Sequence, residues 1–213
     1  MRDDITSIPI SEVFEEIGGC PICRLKNILE ERTVKYITGA AMMEPDIRIE
    51  TNKKGFCNLH YKQMMDNGPK LSVALILQSH IEHLTTTNYL SSNKTTLSCY
   101  VCDKLNHNMS QILNNLCVLW EKEMDFRTLF NKQEYICLSH CKELINASNK
   151  ISKRRRKDFI DDTVNLTKNK ALELTEELKE FCYMFDYRSG GKASEKAKES
   201  PENAVHWLTS QKL

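Results

Sequence analysis

Gly18-Gly19-Cys20-Pro21-Ile22-Cys23-Arg24-Leu25-Lys26-Asn27 places two cysteines three apart, just ahead of a segment with helical apolar spacing. Alone, such a pair fits a metal half-site, a redox dithiol or two packed thiols. Its echo decides between them. Cys20 and Cys23 are followed by Cys57-Asn58-Leu59-His60, and the pattern returns as Cys99-Tyr100-Val101-Cys102 and then Cys137-Leu138-Ser139-His140. The Cys-x2-Cys pair recurs at an offset of 79 residues and the Cys-x2-His pair at 80. Six of the nine cysteines and two of the six histidines fall into this frame, which marks a duplicated module rather than scattered thiols.

Thiolate and imidazole are the usual ligands of zinc, and a closed structural site takes four of them in a tetrahedron. A Cys-x2-Cys turn turns two sulfurs to one side, and residues i and i+3 of a helix share a face. Two half-sites therefore make one Cys3His set, and the chain predicts two zinc ions. The simplest pairing stays within each copy: Cys20, Cys23, Cys57 and His60, then Cys99, Cys102, Cys137 and His140. A pairing crossed between copies satisfies the same count. An iron–sulfur cluster is the rival metal centre, but clusters generally take four cysteines. A thioredoxin-like dithiol needs a helix start beside a βαβ sheet, and no strand pattern precedes Cys20.

Composition narrows the class. The 213 residues are 40% hydrophobic and 28% charged with a net charge of +1, which supports a core and gives no broad field towards nucleic acid or an anionic membrane. No apolar run approaches the ~20 residues of a membrane span. The acidic stretch Met1–Gly19 lacks the basic and apolar regions of a signal peptide, so the expected compartment is the cytoplasm, where thiols stay reduced. Asn-x-Ser/Thr triplets at Asn93, Asn108, Asn146 and Asn165 then carry no glycan.

The pattern predicts an all-α fold: a duplicated helical module, each copy tied by a Cys3His metal site. Helices are expected from Arg24 to about Ala40, Tyr61 to Asp66, Leu71 to about Tyr89, Asp103 to about Glu123 and Cys141 to Ala147. Val164, Thr167, Ala171, Leu174, Leu178, Phe181 and Phe185 alternate steps of three and four, the mark of a long helix packed lengthwise. Arg48–Thr51 is the nearest approach to a strand, inside a polar loop Glu44–Gly55 whose Asp46, Arg48 and Glu50 are candidates for partner binding. Ser189–Pro201 reads as a flexible linker before a short docking helix at Ala204–Leu208. The expected division is a first module at 1–96, a second at 97–188 and the linker with its helix at 189–213.

Other residues carry weaker signals. Cys117 and Cys182 fall on apolar helix faces and read as core. Cys141 is a spare thiol beside His140. His80 and His83, at i and i+3, read as interhelical side chains with no identifiable carboxylate partner. Lys153, Arg154, Arg155, Arg156 and Lys157 form the only dense basic run, a candidate grip for RNA, although Asp158, Asp161 and Asp162 follow it. Two classes of function remain: an interaction scaffold for protein or RNA, or a redox or metal-dependent enzyme using Cys141, His80 or an exchangeable site.

The segment Met43-Glu44-Pro45-Asp46-Ile47-Arg48-Ile49-Glu50-Thr51-Asn52-Lys53-Lys54-Gly55-Phe56-Cys57-Asn58-Leu59-His60, taken with Cys20–Cys23, resembles a bacterial family known only as domain of unknown function 6062. Phe126–Phe130, Cys137–His140 and Phe185–Arg188 fit the same family. In the second copy Ile136 stands where an aromatic is expected, and Cys141 is extra. The resemblance implies a bacterial cytosolic protein with two Cys/His clusters, and it supplies no activity.

Overall fold

The computed structural model describes residues 10–87, 89, 98–187 and 191–211. Ten α-helices and two 3₁₀ turns account for nearly all of them, with no strand among the described residues. The helices are α1 (Ile10–Glu15), α2 (Pro21–Thr38), α3 (Pro45–Lys54), α4 (Asn58–Asn67), α5 (Lys70–Thr86), α6 (Tyr100–Lys122), α7 (Met124–Asn131), α8 (Leu138–Ala147), α9 (Lys153–Met184) and α10 (Glu195–Thr209). Residues 88, 90–97 and 188–190 lie outside the described set, and with them the expected module boundary at 96/97, Asn93, Arg188 and the start of the linker.

The chain forms two compact units, and neither is a continuous stretch of sequence. One contains Lys26–Met109; the other joins Pro9–Leu25 to Ser110–Leu213. Helices α2 and α6 thus each contribute to both units.

In the Lys26–Met109 unit, α3 packs on α5, and α4 turns directly into α5. The turn is Asn67-Gly68-Pro69, where a Cβ on residue 68 would stand 2.6 Å from the Met64 carbonyl oxygen. Leu29, Val34, Ile37, Phe56, Met64, Val73, Ile76 and Leu105 fill the core. Helix α3 replaces the expected polar loop and strand. Its signals are local: Pro45 in the first turn, Asp46 beside it, Lys53 and Lys54 in the last turn, and Gly55 at φ 67° closing it. Arg48 then faces α5, donating from Nη2 to the Leu75 carbonyl at 2.8 Å and to Ser79 Oγ. His80 is buried, its Nδ1 2.7 Å from the Asn52 carbonyl, which is the interhelical role expected for it.

The other unit is centred on aromatic rings. Phe14 of α1 meets Phe126 and Phe130 of α7 at centroid distances of 5.1 and 5.8 Å, and Phe159 of α9 meets Trp120 and Phe130 at 5.1 and 5.7 Å. Gln133 ties α1 in place by donating to the Phe14 carbonyl at 2.7 Å. Helix α9 buries Phe159, Thr163, Thr167 and Leu174, so the middle of the expected seam packs while its ends, Val164 and Phe185, stay exposed. Cys117 is buried as expected; Cys182 is exposed, because α9 turns that face to solvent.

Helix α10 overturns the linker from Glu195 onward. Ser194 caps it, accepting from the Ala197 N–H at 3.2 Å. Pro201 sits inside the helix and cannot donate to the Ala197 carbonyl four residues back. Ser200 Oγ donates to that carbonyl instead, at 2.7 Å. Ala197 and Ser200 are fully buried, and α10 packs along α9 and α8.

Candidate metal centres

All eight candidate ligands stand at the same two places on their helices. Cys57 and Cys137 are the N-cap residues of α4 and α8, which puts His60 and His140 at the third helical position. Cys20 and Cys99 immediately precede α2 and α6, and their carbonyls accept the first helical bonds, from Arg24 at 3.2 Å and Asp103 at 3.0 Å. Cys23 and Cys102 are then the third residues of those helices. Each cluster is the meeting of two helix N-termini, whose free N–H groups and dipoles favour thiolate. In one of them the Cys102 N–H points at Cys99 Sγ, 3.5 Å away.

The pairing is the crossed one. Cys20, Cys23, Cys137 and His140 converge within one unit, and Cys57, His60, Cys99 and Cys102 within the other; in each set the ligand atoms lie within 4.8 Å of one another. The within-copy sets do not converge: in each copy the Cys-x2-Cys and Cys-x2-His halves belong to different units. Helix α2 has 18 residues and carries the chain about 22 Å from Cys23 to Thr38, at ~1.5 Å per residue. The 3₁₀ turn Ala40–Met43 and the 10-residue α3 then lead to Cys57. In the second copy the 23-residue α6 is followed by the 8-residue α7.

The spacing fits a tetrahedral ion. Metal–ligand bonds of ~2.3 Å to sulfur and ~2.0 Å to nitrogen imply about 3.8 Å between sulfurs and about 3.5 Å from sulfur to nitrogen. Cys23 and Cys137 Sγ are 3.8 Å apart, and Cys57 and Cys102 Sγ 3.9 Å. His140 Nδ1 lies 3.6, 3.4 and 3.0 Å from the sulfurs of Cys20, Cys23 and Cys137. His60 Nδ1 lies 3.2, 3.5 and 3.0 Å from those of Cys99, Cys102 and Cys57. Both histidines therefore offer Nδ1. The sulfur separations are far longer than a disulfide of ~2.05 Å, and all nine cysteines are free.

The surroundings of the two centres repeat and then diverge. Beside Cys57, Lys54 pairs with Asp103 at 2.9 Å, and the Tyr100 N–H donates to the Gly55 carbonyl at 3.0 Å. The corresponding positions of the other centre are Glu134 and Arg24, with the charges exchanged. There Pro21 replaces Tyr100 and has no N–H, and the Gly19 N–H donates to Glu134 at 2.7 Å instead. Arg24 donates to the Val13 and Glu16 carbonyls at 2.9 and 2.7 Å and to Gln133 at 3.0 Å.

Two contacts were not visible in the repeat. Glu30 Oε1 meets His60 Nε2 at 2.8 Å, the carboxylate–histidine relay that orients a metal-binding imidazole. The matching residue of the second copy is Met109, which offers no carboxylate. In the other centre, Ser210 Oγ at the end of α10 lies 3.1 Å from Cys137 Sγ, and Ser139 donates to the Leu208 carbonyl at 3.2 Å.

The hydrogen bonds within each centre favour thiolate on one cysteine and a proton on the histidine. Hydrogen bonds from Cys20 and Cys23 hold the Cys137 thiol far below its usual range, and Cys23, donating to it, is pushed far up. Burial opposes the charged forms of Cys99 and His60, but their mutual hydrogen bond brings Cys99 down to about 6 and, with Glu30, raises His60 to about 10. Burial likewise opposes imidazolium at His140, and Cys137 and Cys20 raise it to about 10. Glu30 is lowered, chiefly by its bond to His60. A cation at either centre would replace these shared protons.

A family model described as "Family of unknown function (DUF6062)" matches residues 1–96 and 85–213. The chain belongs to that family. No curated protein and no solved structure matches it. For DUF6062 the present chain therefore supplies an all-α duplicated fold with two Cys3His groups able to hold a metal. No described helix is long and apolar enough to cross a membrane.

Proposed function

We propose that this protein binds two zinc ions and serves as a helical interaction scaffold in the reducing cytoplasm of a bacterium. The observation that carries the reading is the pair of Cys3His sets, each built from two helix N-termini at tetrahedral spacing. One imidazole in each set favours zinc over an iron–sulfur cluster. Four protein ligands leave no open position for water, which supports a structural rather than a hydrolytic ion.

The proposed partner is a protein. Asp46 and Glu50 project from α3 beside exposed Ile49, whereas Arg48 is engaged with α5. RNA is less favoured by the basic run. Arg156 donates to the carbonyls of Ser148, Asn149 and Ile151, and Arg155 to that of Glu121, so both cover helix ends. Lys153, Arg154 and Lys157 remain exposed.

Elemental analysis and an absorption spectrum of protein purified under reducing conditions test the metal. Two zincs per chain and a colourless solution are expected; iron or a brown protein overturns the reading. Zinc in sites of this kind contributes on the order of 10 kcal/mol of folding energy, so verified removal by chelator should lower the melting temperature sharply. For the scaffold role, a partner recovered with the intact protein should be lost when Asp46 and Glu50 are changed to alanine.

A further inference from the structure

The two centres differ in access, and the difference falls on two specific sulfurs. Cys20, Cys23 and Cys137 are buried with His140, and the end of α10 sets Ser210 against Cys137. In the Lys26–Met109 unit, Cys99 and His60 are buried but Cys57 and Cys102 are partly exposed. Those two sulfurs are also neighbours, 3.9 Å apart, one at the start of α4 and the other in the first turn of α6. An oxidant in solution thus reaches two adjacent sulfurs at one centre and none at the other.

We propose that the Cys57/His60/Cys99/Cys102 centre is a peroxide-responsive thiol switch, in which Cys57 and Cys102 join as a disulfide and the metal ion leaves. The proposal rests on the zinc reading above. One of the two thiolates attacks a hydroperoxide oxygen, breaking the O–O bond and giving a sulfenic acid and hydroxide or alkoxide. The second thiolate attacks that sulfur, forms the S–S bond and expels hydroxide. Two electrons pass from the sulfurs to the peroxide, and two protons from water complete the products. Closing the bond shortens the S···S distance from 3.9 Å to ~2.05 Å and removes two of four ligands. His60 and Cys99 alone do not retain the ion. The buried centre keeps its ion, so the protein passes from two clips to one. A thiol reductant with zinc reverses the change.

The test uses the full chain carrying Cys182→Ser, since Cys182 is an exposed thiol outside the centre that peroxide would also reach. Zinc is counted first in the reduced protein, and this count tests the zinc reading alone; protein without zinc defeats that reading and the switch with it. Hydrogen peroxide is then added in small excess beside a chromogenic zinc chelator, and disulfides are mapped by mass spectrometry. One equivalent of zinc released, with a Cys57–Cys102 crosslink, is expected, and reductant plus zinc should restore two equivalents. With two zincs present at the start, three results overturn the switch: no release, release of both ions at equal rates, or a crosslink among Cys20, Cys23 and Cys137.

Discussion

Nε2 of His60 meets Oε1 of Glu30 at 2.8 Å, seven residues along α2 beyond Cys23. The same bond fixes which imidazole nitrogen is free for a metal, because an Nε2–H donated to Glu30 leaves Nδ1 facing the three sulfurs. Glu30→Gln keeps the shape and removes the charge. It should weaken metal retention roughly 10- to 100-fold at this centre and leave the other unchanged. Chelator competition reads this as one fast-releasing and one slow-releasing equivalent; identical release from the variant and the parent defeats the role given to Glu30.

The crossed pairing makes a prediction that the local pairing reverses. His60→Ala should expose Cys99 and Cys102 to alkylation and leave Cys20 and Cys23 protected. His140→Ala should do the opposite. Mass spectrometry after a short iodoacetamide pulse identifies the labelled cysteines. Loss of protection at Cys20 and Cys23 in the His60 variant would contradict the geometry.

Ser200 is expected to matter only because of Pro201. Ser200→Ala leaves the buried Ala197 carbonyl without a partner, at a cost of roughly 1–3 kcal/mol. Pro201→Ala in the same chain restores a backbone N–H to that carbonyl and should recover most of the loss. Thermal melts of the two variants and the parent settle this. If the double variant is no more stable than Ser200→Ala, the compensation is absent.

The ligands were legible because the chain states them twice, and a frame kept over 79 and 80 residues is difficult to misread. The pairing was not, since Cys20 with His60 and Cys20 with His140 satisfy the same ligand count. The two solutions differ in which halves share a unit, and that is set by the three-dimensional fold, not by the ligand frame. Helix α3 has no apolar stripe to reveal it in the sequence, although Pro45, Asp46, Lys53 and Gly55 mark its ends. Helix α10 was concealed by an internal proline and by Ser, Lys and Glu, whose composition suits a linker equally well. Glu30 and Ser210 stand outside the repeated frame, so no internal comparison pointed to them.

Cys117 gives a pH dependence separable from the metal centres. It lies fully buried in α6, and burial pushes its thiol from 9.0 up to about 12. The folded protein therefore keeps this proton where the unfolded chain releases it. The preference for the neutral thiol is fully present below pH 9 and is lost progressively as pH rises from 9 towards 12. Over that interval the unfolded state binds fewer protons, and stability falls by up to about 1.4 kcal/mol per pH unit from this group alone. Cys117→Ala leaves a small cavity and should be less stable than the parent at pH 8. It lacks the titration, however, so the gap between the two proteins should narrow above pH 9. Urea unfolding at pH 8, 9 and 10 measures the gap with the metal-linked thiols common to both. A gap that stays constant across the series defeats the assignment.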